Sequence, residues 1–154
     1  MEMKSKSKVT VVGDRKVGLS TLWVFVMFNF LYADVVALFD VVYNGKVGTI
    51  QFAPATLLGV SVLLEIPIAM IIISLVLKYR TNRWTNIIVG AAYAIVTLLT
   101  QFILPISNGT TTSYYLFFGV IEIAATSFIV WYAWKWPAPI TAELEHSKAI
   151  PVDA

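Results

Sequence analysis

Four apolar stretches, each about as long as a helix that crosses a bilayer, constrain this sequence more than any other feature. They lie near residues 18–39, 54–77, 84–104 and 114–136. A spanning helix needs ~20 mostly apolar residues. The connections are short and rich in Asn, Gly, Pro and Ser, which are typical of turns, so no separate domain is expected. The sequence predicts an all-α fold: one integral membrane four-helix bundle with up-down topology.

The composition excludes several classes of protein. Apolar residues make up 58% of the 154 positions and charged residues only 13%. Because the apolar residues form continuous runs, neither a disordered chain nor a soluble domain fits. Cysteine is absent and the single histidine, His146, lies in the polar C-terminal stretch. Thiolate or histidine ligation inside the membrane is therefore excluded, and no cofactor is predicted. The expected partner is the lipid bilayer, not nucleic acid.

The distribution of basic residues predicts an orientation. Ten of the eleven Lys and Arg residues lie on the side of the spans that carries both termini, and only Lys46 lies opposite. The positive-inside rule then places both tails, residues 1–17 and 137–154, in the cytoplasm. All five Trp residues fall near the same ends of the spans, as in an interfacial aromatic belt. We expect a multi-pass membrane protein.

Three stretches carry a resemblance to a known kind of protein. They are Leu19–Phe39 (LSTLWVFVMFNFLYADVVALF), the Arg83-Trp84 pair and Trp131–Pro137 (WYAWKWP). Together with the order and spacing of the spans, they resemble a functionally uncharacterised family of small bacterial four-span membrane proteins. The architecture is also loosely similar to the DoxX-like proteins. The resemblance implies a four-helix bundle in a prokaryotic inner membrane, but no reaction.

Polar side chains inside the apolar stretches are the candidate site residues. They are Asp34, Glu65, Gln101, Glu122 and Thr126. A charged group at the bilayer centre costs ~2.5–3.5 kcal/mol on insertion scales, so such groups need a compensating partner or role. At ~1.5 Å per residue, Glu65 falls near the midplane, and Asp34, Gln101 and Glu122 fall between it and the outer face. In an up-down bundle they could converge on one water-accessible cavity.

The surroundings of Glu65 make it the strongest of these candidates in the sequence. Ser61 and Ala69 lie on the same helix face, and small residues favour close contact between membrane helices, so we expect Glu65 to face inward. Pro67 deprives the Leu63 carbonyl of its usual hydrogen bond. A free carbonyl near a carboxyl group is what a cation site or a protonated acid would use.

Glu122 is also expected to face inward, because Gly119 and Thr126 share its helix face. Three other polar residues of the third span are assigned to packing and not to ligand binding. They are Asn86, Thr97 and Thr100.

Two functions from different classes remain open. The first is proton- or cation-linked transport of a small solute through an acidic cavity in the outer half of the bundle. The alternative is a non-catalytic structural or assembly protein whose buried carboxyl groups form interhelical hydrogen bonds. A 154-residue bundle has little room for a solute pathway, so transport favours a homo-oligomer. The lack of a Ser–His pair, an HExxH motif and a phosphate-binding Gly loop disfavours an enzyme. Carboxylates could hold a hard cation, so a metal ion stays open.

Overall fold

The computed structural model is built of helices. It describes residues 2–45 and 53–137, with side chains from residue 14 onward. Lys46 and the predicted C-terminal tail from residue 138 lie outside the described residues. The elements in chain order are α1 Glu2–Tyr43, α2 Pro54–Val76, α3 Tyr79–Thr97, a π-helical segment Leu98–Ile103, α4 Leu104–Asn108 and α5 Ser113–Trp134. The predicted N-terminal tail thus continues α1 as a helix.

Within the described ranges, four helical stretches are long and apolar enough to cross a bilayer. They are Asp14–Tyr43, Pro54–Val76, Tyr79–Asn108 and Ser113–Trp134. Large apolar side chains such as Phe39, Leu58 and Ile72 are exposed on the outside of these helices. Such exposure suits hydrocarbon surroundings, because lipid tails are as apolar as Leu. The all-α class with four candidate spans is therefore confirmed, and the helices indicate a multi-pass membrane protein.

The third span is a composite of α3, the π segment and α4. Leu104 N–H bonds the carbonyl of Leu99, five residues back, where an α-helix would bond four residues back. Pro105 has no N–H for the carbonyl of Gln101, and its ring crowds that carbonyl, so a wider preceding turn is favoured. The helix therefore passes Pro105 and ends at Asn108, where Gly109 adopts a left-handed conformation with φ 66°.

The helices pack unevenly around the core. The closest packing is of α3 on α5 and of α1 on both α2 and α5, whereas α2 and α3 touch much less. The core comes from all the spans and includes Leu19, Trp23, Met70, Tyr93 and Ile129. Buried residues of α2 begin only at Pro67. The first part of α2, residues 54–62, is exposed on every face.

Basic side chains stabilise the end of the bundle where α1 enters and α5 leaves, here called the basic end. They donate to carbonyl groups in the last turns of neighbouring helices, which is the favourable place for a cation. The pairs are Arg15 with the Tyr132 carbonyl, Lys16 with that of Leu75 and Arg83 with that of Trp134, at 3.5, 3.1 and 3.0 Å. The opposite end, with Tyr43 and Ser113, is called the distal end.

The predicted belt of five Trp residues is wrong for two of them. Trp23 and Trp136 are buried, at 0% and 3% exposure. The Trp23 indole N–H donates to Asn86 Oδ1 at 2.6 Å, so its polar atom has a partner inside the bundle. Trp136 packs edge-on against Tyr79, with ring centroids 5.1 Å apart. The other three are about half exposed: Trp84, Trp131 and Trp134.

Candidate functional site

A fully buried carboxyl group lies among the helices, on Glu122 of α5. Asn29 Nδ2 of α1 donates to Glu122 Oε1 at 3.2 Å. Thr97 Oγ1 at the end of α3 donates to Oε2 at 3.3 Å, and Gln101 Nε2 of the π segment donates to the same oxygen at 2.6 Å. All three donors are neutral. The carboxyl group therefore joins three spans of the bundle without a cationic partner among these contacts.

Neighbouring bonds hold two members of this cluster in position. Asn29 Nδ2 also donates to the Phe118 carbonyl at 3.2 Å, which ties its amide to α5. Thr126 Oγ1 donates to the backbone carbonyl of Glu122 at 2.7 Å. This bond to the residue four positions earlier is common for Thr in helices. Thr126 thus lies buried beside the cluster, but its hydroxyl binds the backbone and not the carboxyl group.

The π segment and Gly119 together let Gln101 reach Glu122. A Cβ atom at Gly119 would lie 2.6 Å from Gln101 Oε1 and 2.7 Å from a ring carbon of Phe102. Only glycine leaves room there for the π segment against α5. Gln101 Oε1 is buried and has no hydrogen-bond partner among the described residues. An unsatisfied buried acceptor is uncommon, and here it lies on the residue that bonds Glu122.

A second polar network lies nearer the basic end and connects α1, α2 and α3. Trp23 Nε1 and Ser74 Oγ both donate to Asn86 Oδ1, at 2.6 and 3.2 Å. Asn86 Nδ2 donates to Asn82 Oδ1 at 2.6 Å, and Asn82 Nδ2 donates to the Ser74 carbonyl at 2.6 Å. This network contains no titratable group. It agrees with the packing role that the sequence analysis assigned to Asn86.

The structure brings some of the predicted site residues together and separates the others. Gln101 bonds Glu122 and Thr126 lies buried beside them, whereas the side chains of Asp34 and Glu65 are exposed. Asp34 lies five residues after Asn29, about 140° further around α1, and so faces away from the cluster. The expected convergence of three carboxylates in one cavity is not seen.

The expectation that Glu65 faces inward beside a free carbonyl is wrong. Glu65 is exposed on the outer side of α2. The Leu63 carbonyl that Pro67 frees accepts a hydrogen bond from the Tyr93 hydroxyl of α3. Pro67 itself is buried. The proline therefore creates an acceptor for contact between two helices, and that acceptor is not left open for a cation.

An open cleft of ≈ 450 Å³ lies at the distal end and is bordered by none of the predicted site residues. Asp40 lines it, together with the rings of Phe39, Tyr43 and Tyr114. Asn44 Nδ2 donates to Asp40 Oδ1 at 2.6 Å, and the Tyr114 hydroxyl donates to Oδ2 at 3.5 Å. Asp40 was not among the predicted site residues, because it follows the first apolar stretch and was predicted to lie in a loop.

Two contacts of Glu122 were missed in the sequence. Asn29 was not among the predicted site residues, and Thr97 was assigned to packing. The available signal for Asn29 was its place near the middle of the first apolar stretch, where an amide needs a partner from another helix. Thr97 is four residues before Gln101, so the two share a helix face. That spacing could have indicated a shared acceptor.

The described residues offer no cluster of metal-binding side chains. Among residues 14–45 and 53–137, no three His, Cys, Asp or Glu side chains lie close enough to hold a metal ion. The atoms facing Glu122 are mostly N–H and O–H donors, whereas Mg²⁺ and Ca²⁺ bind oxygen lone pairs. The cluster is therefore better suited to a proton than to a metal ion.

Comparisons with known proteins identify a family but no activity. A model of a family of unknown function, DUF6326, matches residues 8–142. The match confirms the resemblance to an uncharacterised family, and it names neither DoxX-like proteins nor a bacterial source. The comparisons with curated proteins and with solved structures gave no match. Because the matched region includes all four candidate spans, the chain belongs to the DUF6326 family.

Proposed function

We propose that this protein is a multi-pass protein of the inner (plasma) membrane that couples transport of a small solute to proton binding at Glu122. The observation that carries the proposal is the complete burial of this carboxyl group among neutral donors from two other spans. An acidic side chain within a membrane bundle that faces the protein interior is the first place to expect a functional site, because burying it is costly.

The surrounding groups can serve both forms of the acid. A carboxylate accepts the three hydrogen bonds from Asn29, Thr97 and Gln101. A protonated acid has an O–H of its own and needs an acceptor. Gln101 carries such an acceptor in its unsatisfied Oε1, and a rotation of its amide would bring this oxygen to the acid. The cluster thus has a partner for Glu122 before and after proton uptake.

The π segment supports a functional reading of the cluster. Such segments are rare and occur frequently at functional sites. This one contains Gln101, which forms the 2.6 Å hydrogen bond to Glu122, and it directly follows Thr97. A change between the π and α turns would move Gln101 relative to Glu122. Proton binding and helix geometry would then be linked.

A structural or assembly role is the second candidate, and a specific observation favours it. The network of Asn82, Asn86, Ser74 and Trp23 shows that this bundle uses buried polar groups to join helices. The Glu122 cluster could do the same, since interhelical hydrogen bonds contribute ~0.6 kcal/mol on average in a membrane bundle. The two roles differ in whether a proton on Glu122 matters.

Reconstitution in liposomes separates the two roles. Proton flux and the uptake of labelled small cations and solutes would be followed in vesicles with an imposed pH gradient. We expect pH-dependent flux with the wild-type chain and at least a tenfold loss with Glu122→Gln, which keeps the shape of the side chain but removes its titratable proton. Thermal unfolding should change little, because the amide still forms hydrogen bonds.

Glu65→Gln is the matched control, because it is the same chemical change at an exposed position of another span. It should retain the flux. Two results would contradict proton-coupled transport and favour the structural role. One is flux that survives in Glu122→Gln, and the other is a wild-type chain that moves neither protons nor any solute of the panel.

A further inference from the structure

A regular exposed seam runs along α2. Its members recur at spacings of four and three residues, which is the heptad pattern of helices that pack in a left-handed pair. They are Pro54, Leu58, Ser61, Glu65, Ile68, Ile72 and Leu75. Every one of them is exposed. Most helix pairs in membranes cross with this geometry, so the seam has the spacing that such a pair uses.

The polar residues in the middle of the seam distinguish it from an ordinary lipid-facing surface. Glu65 lies near the middle of α2 and Ser61 lies one turn away on the same face. The Ser61 hydroxyl donates to the Leu57 carbonyl at 2.9 Å and so is satisfied within the helix. The carboxyl group of Glu65 is exposed at the depth where lipid offers no hydrogen bonds. A polar group of a second molecule would therefore stabilise it.

The distal half of α2 is also short of contacts within its own bundle. Residues 54–62 are exposed on every face, and a Cβ atom at Gly59 would have nothing within 4 Å. The rest of α2 packs against α1 through buried residues such as Met70 and Ser74. The first half of α2 is therefore accessible to another molecule, and the seam runs through it.

We propose that the seam of α2 is a dimer interface, in which a second copy of this chain packs across a two-fold axis and the two Glu65 side chains meet. Copies inserted in the same orientation are related by an axis along the membrane normal, and α2 then lies parallel to α2 of its partner. A two-fold interface brings each residue near the axis against its own copy.

Glu65 favours a second copy over a different partner, because a carboxylic acid is self-complementary. Two protonated acids that face each other can each donate one O–H and accept at one C=O. No cationic side chain is needed. A single polar residue within an apolar heptad seam also fixes register and oligomeric state in helical pairs. The proposed interface is separate from the Glu122 cluster and does not depend on transport.

Disulfide trapping tests the interface directly, since the native chain has no cysteine. Single-cysteine variants at Leu58 and Ile72 on the seam would be reconstituted in liposomes with this chain alone and oxidised. Val60→Cys on another face of α2 and Ile88→Cys on α3 are matched controls, because both positions are exposed and apolar. A bridge requires Cα atoms within ~7 Å, so trapping reports close approach.

We expect both seam variants to form disulfide dimers and the controls to form at least tenfold fewer. This difference should persist when the lipid-to-protein ratio is raised. Equal trapping at all four positions would indicate random collision and overturn the interface. Absence of trapping at the seam would mean that lipid or a different protein covers it, and would overturn the proposal equally.

Substitutions at Glu65 in the Ile72→Cys background test the role of the acid. Glu65→Gln keeps a self-complementary amide and should retain trapping. Glu65→Leu removes both hydrogen bonds of the acid pair and should lower the trapped fraction about eightfold, as expected for the loss of two interhelical hydrogen bonds of average strength. Unchanged trapping in Glu65→Leu would contradict a pairing role for the acid.

Discussion

Gly119 shows how closely the parts of the candidate site are packed. Its Cα faces the amide of Gln101 and the ring of Phe102 with no space for a methyl group. The contact places the π segment directly on α5, three residues before Glu122. The position of Gln101 against the acid therefore depends on the absence of a side chain at Gly119.

Gly119→Ala should disturb the cluster without changing any polar group. The added Cβ would overlap Gln101 Oε1 and Phe102, so we expect a loss of ~1–3 kcal/mol in the free energy of unfolding, as for overpacking of a core. Flux should fall in parallel, because Gln101 is pushed away from Glu122. Unfolding in detergent and flux in liposomes are the measurements.

Gly59→Ala is the matched control, since a methyl group there has open space. It should leave stability equal or slightly higher, because Ala favours helix more than Gly does. A Gly119→Ala variant as stable and active as Gly59→Ala would mean that the close contact is not needed.

Pro105 favours the wide turn of the π segment, and this segment carries Gln101, which bonds Glu122. Pro105→Ala restores the N–H that can bond the Gln101 carbonyl, so we expect an α-helical turn to replace the wide turn. The free energy of unfolding should rise by up to ~3 kcal/mol, while pH-dependent flux should fall because Gln101 turns away from Glu122. Amide hydrogen exchange of residues 98–105 would report the new helical bonds.

Pro54→Ala provides the control, because Pro54 opens α2 where no N–H is needed. It should change neither exchange in the third span nor flux. If Pro105→Ala keeps full flux with a regular α-helix, the π segment has no part in the function.

Sequence reasoning succeeded where the signal is local. The four spans follow from the length of the apolar runs, and the inward orientation of Glu122 follows from its small neighbours on one face. It failed for Glu65, because α2 is apolar on all sides and its periodicity does not distinguish the interior from lipid. The contact between Gln101 and Glu122 depends on a wide turn and on the packing of two helices, which are properties of the folded chain.

Basic residues are concentrated at one end of the whole bundle, and this distribution predicts how the bundle is oriented in the membrane. Arg15, Lys16 and Arg83 lie there and bond carbonyl groups of neighbouring spans. We propose that this end faces the cytoplasm, as the positive-inside rule predicts. A reporter enzyme that is active only outside the cytoplasm should be silent when fused after Ala154.

The same reporter inserted at Gly109, in the turn between α4 and α5 at the distal end, should be active. Activity from the fusion after Ala154 together with silence at Gly109 would show the opposite orientation.

The proposed transport requires that Glu122 binds and releases a proton inside the bundle. Infrared difference spectroscopy of the reconstituted protein during a pH titration tests this claim, because a protonated carboxyl group has a C=O band distinct from that of a carboxylate. We expect a titrating band that disappears in Glu122→Gln and persists in Glu65→Gln and Asp34→Asn. A spectrum in which Glu122→Gln removes no titrating band would contradict the claim.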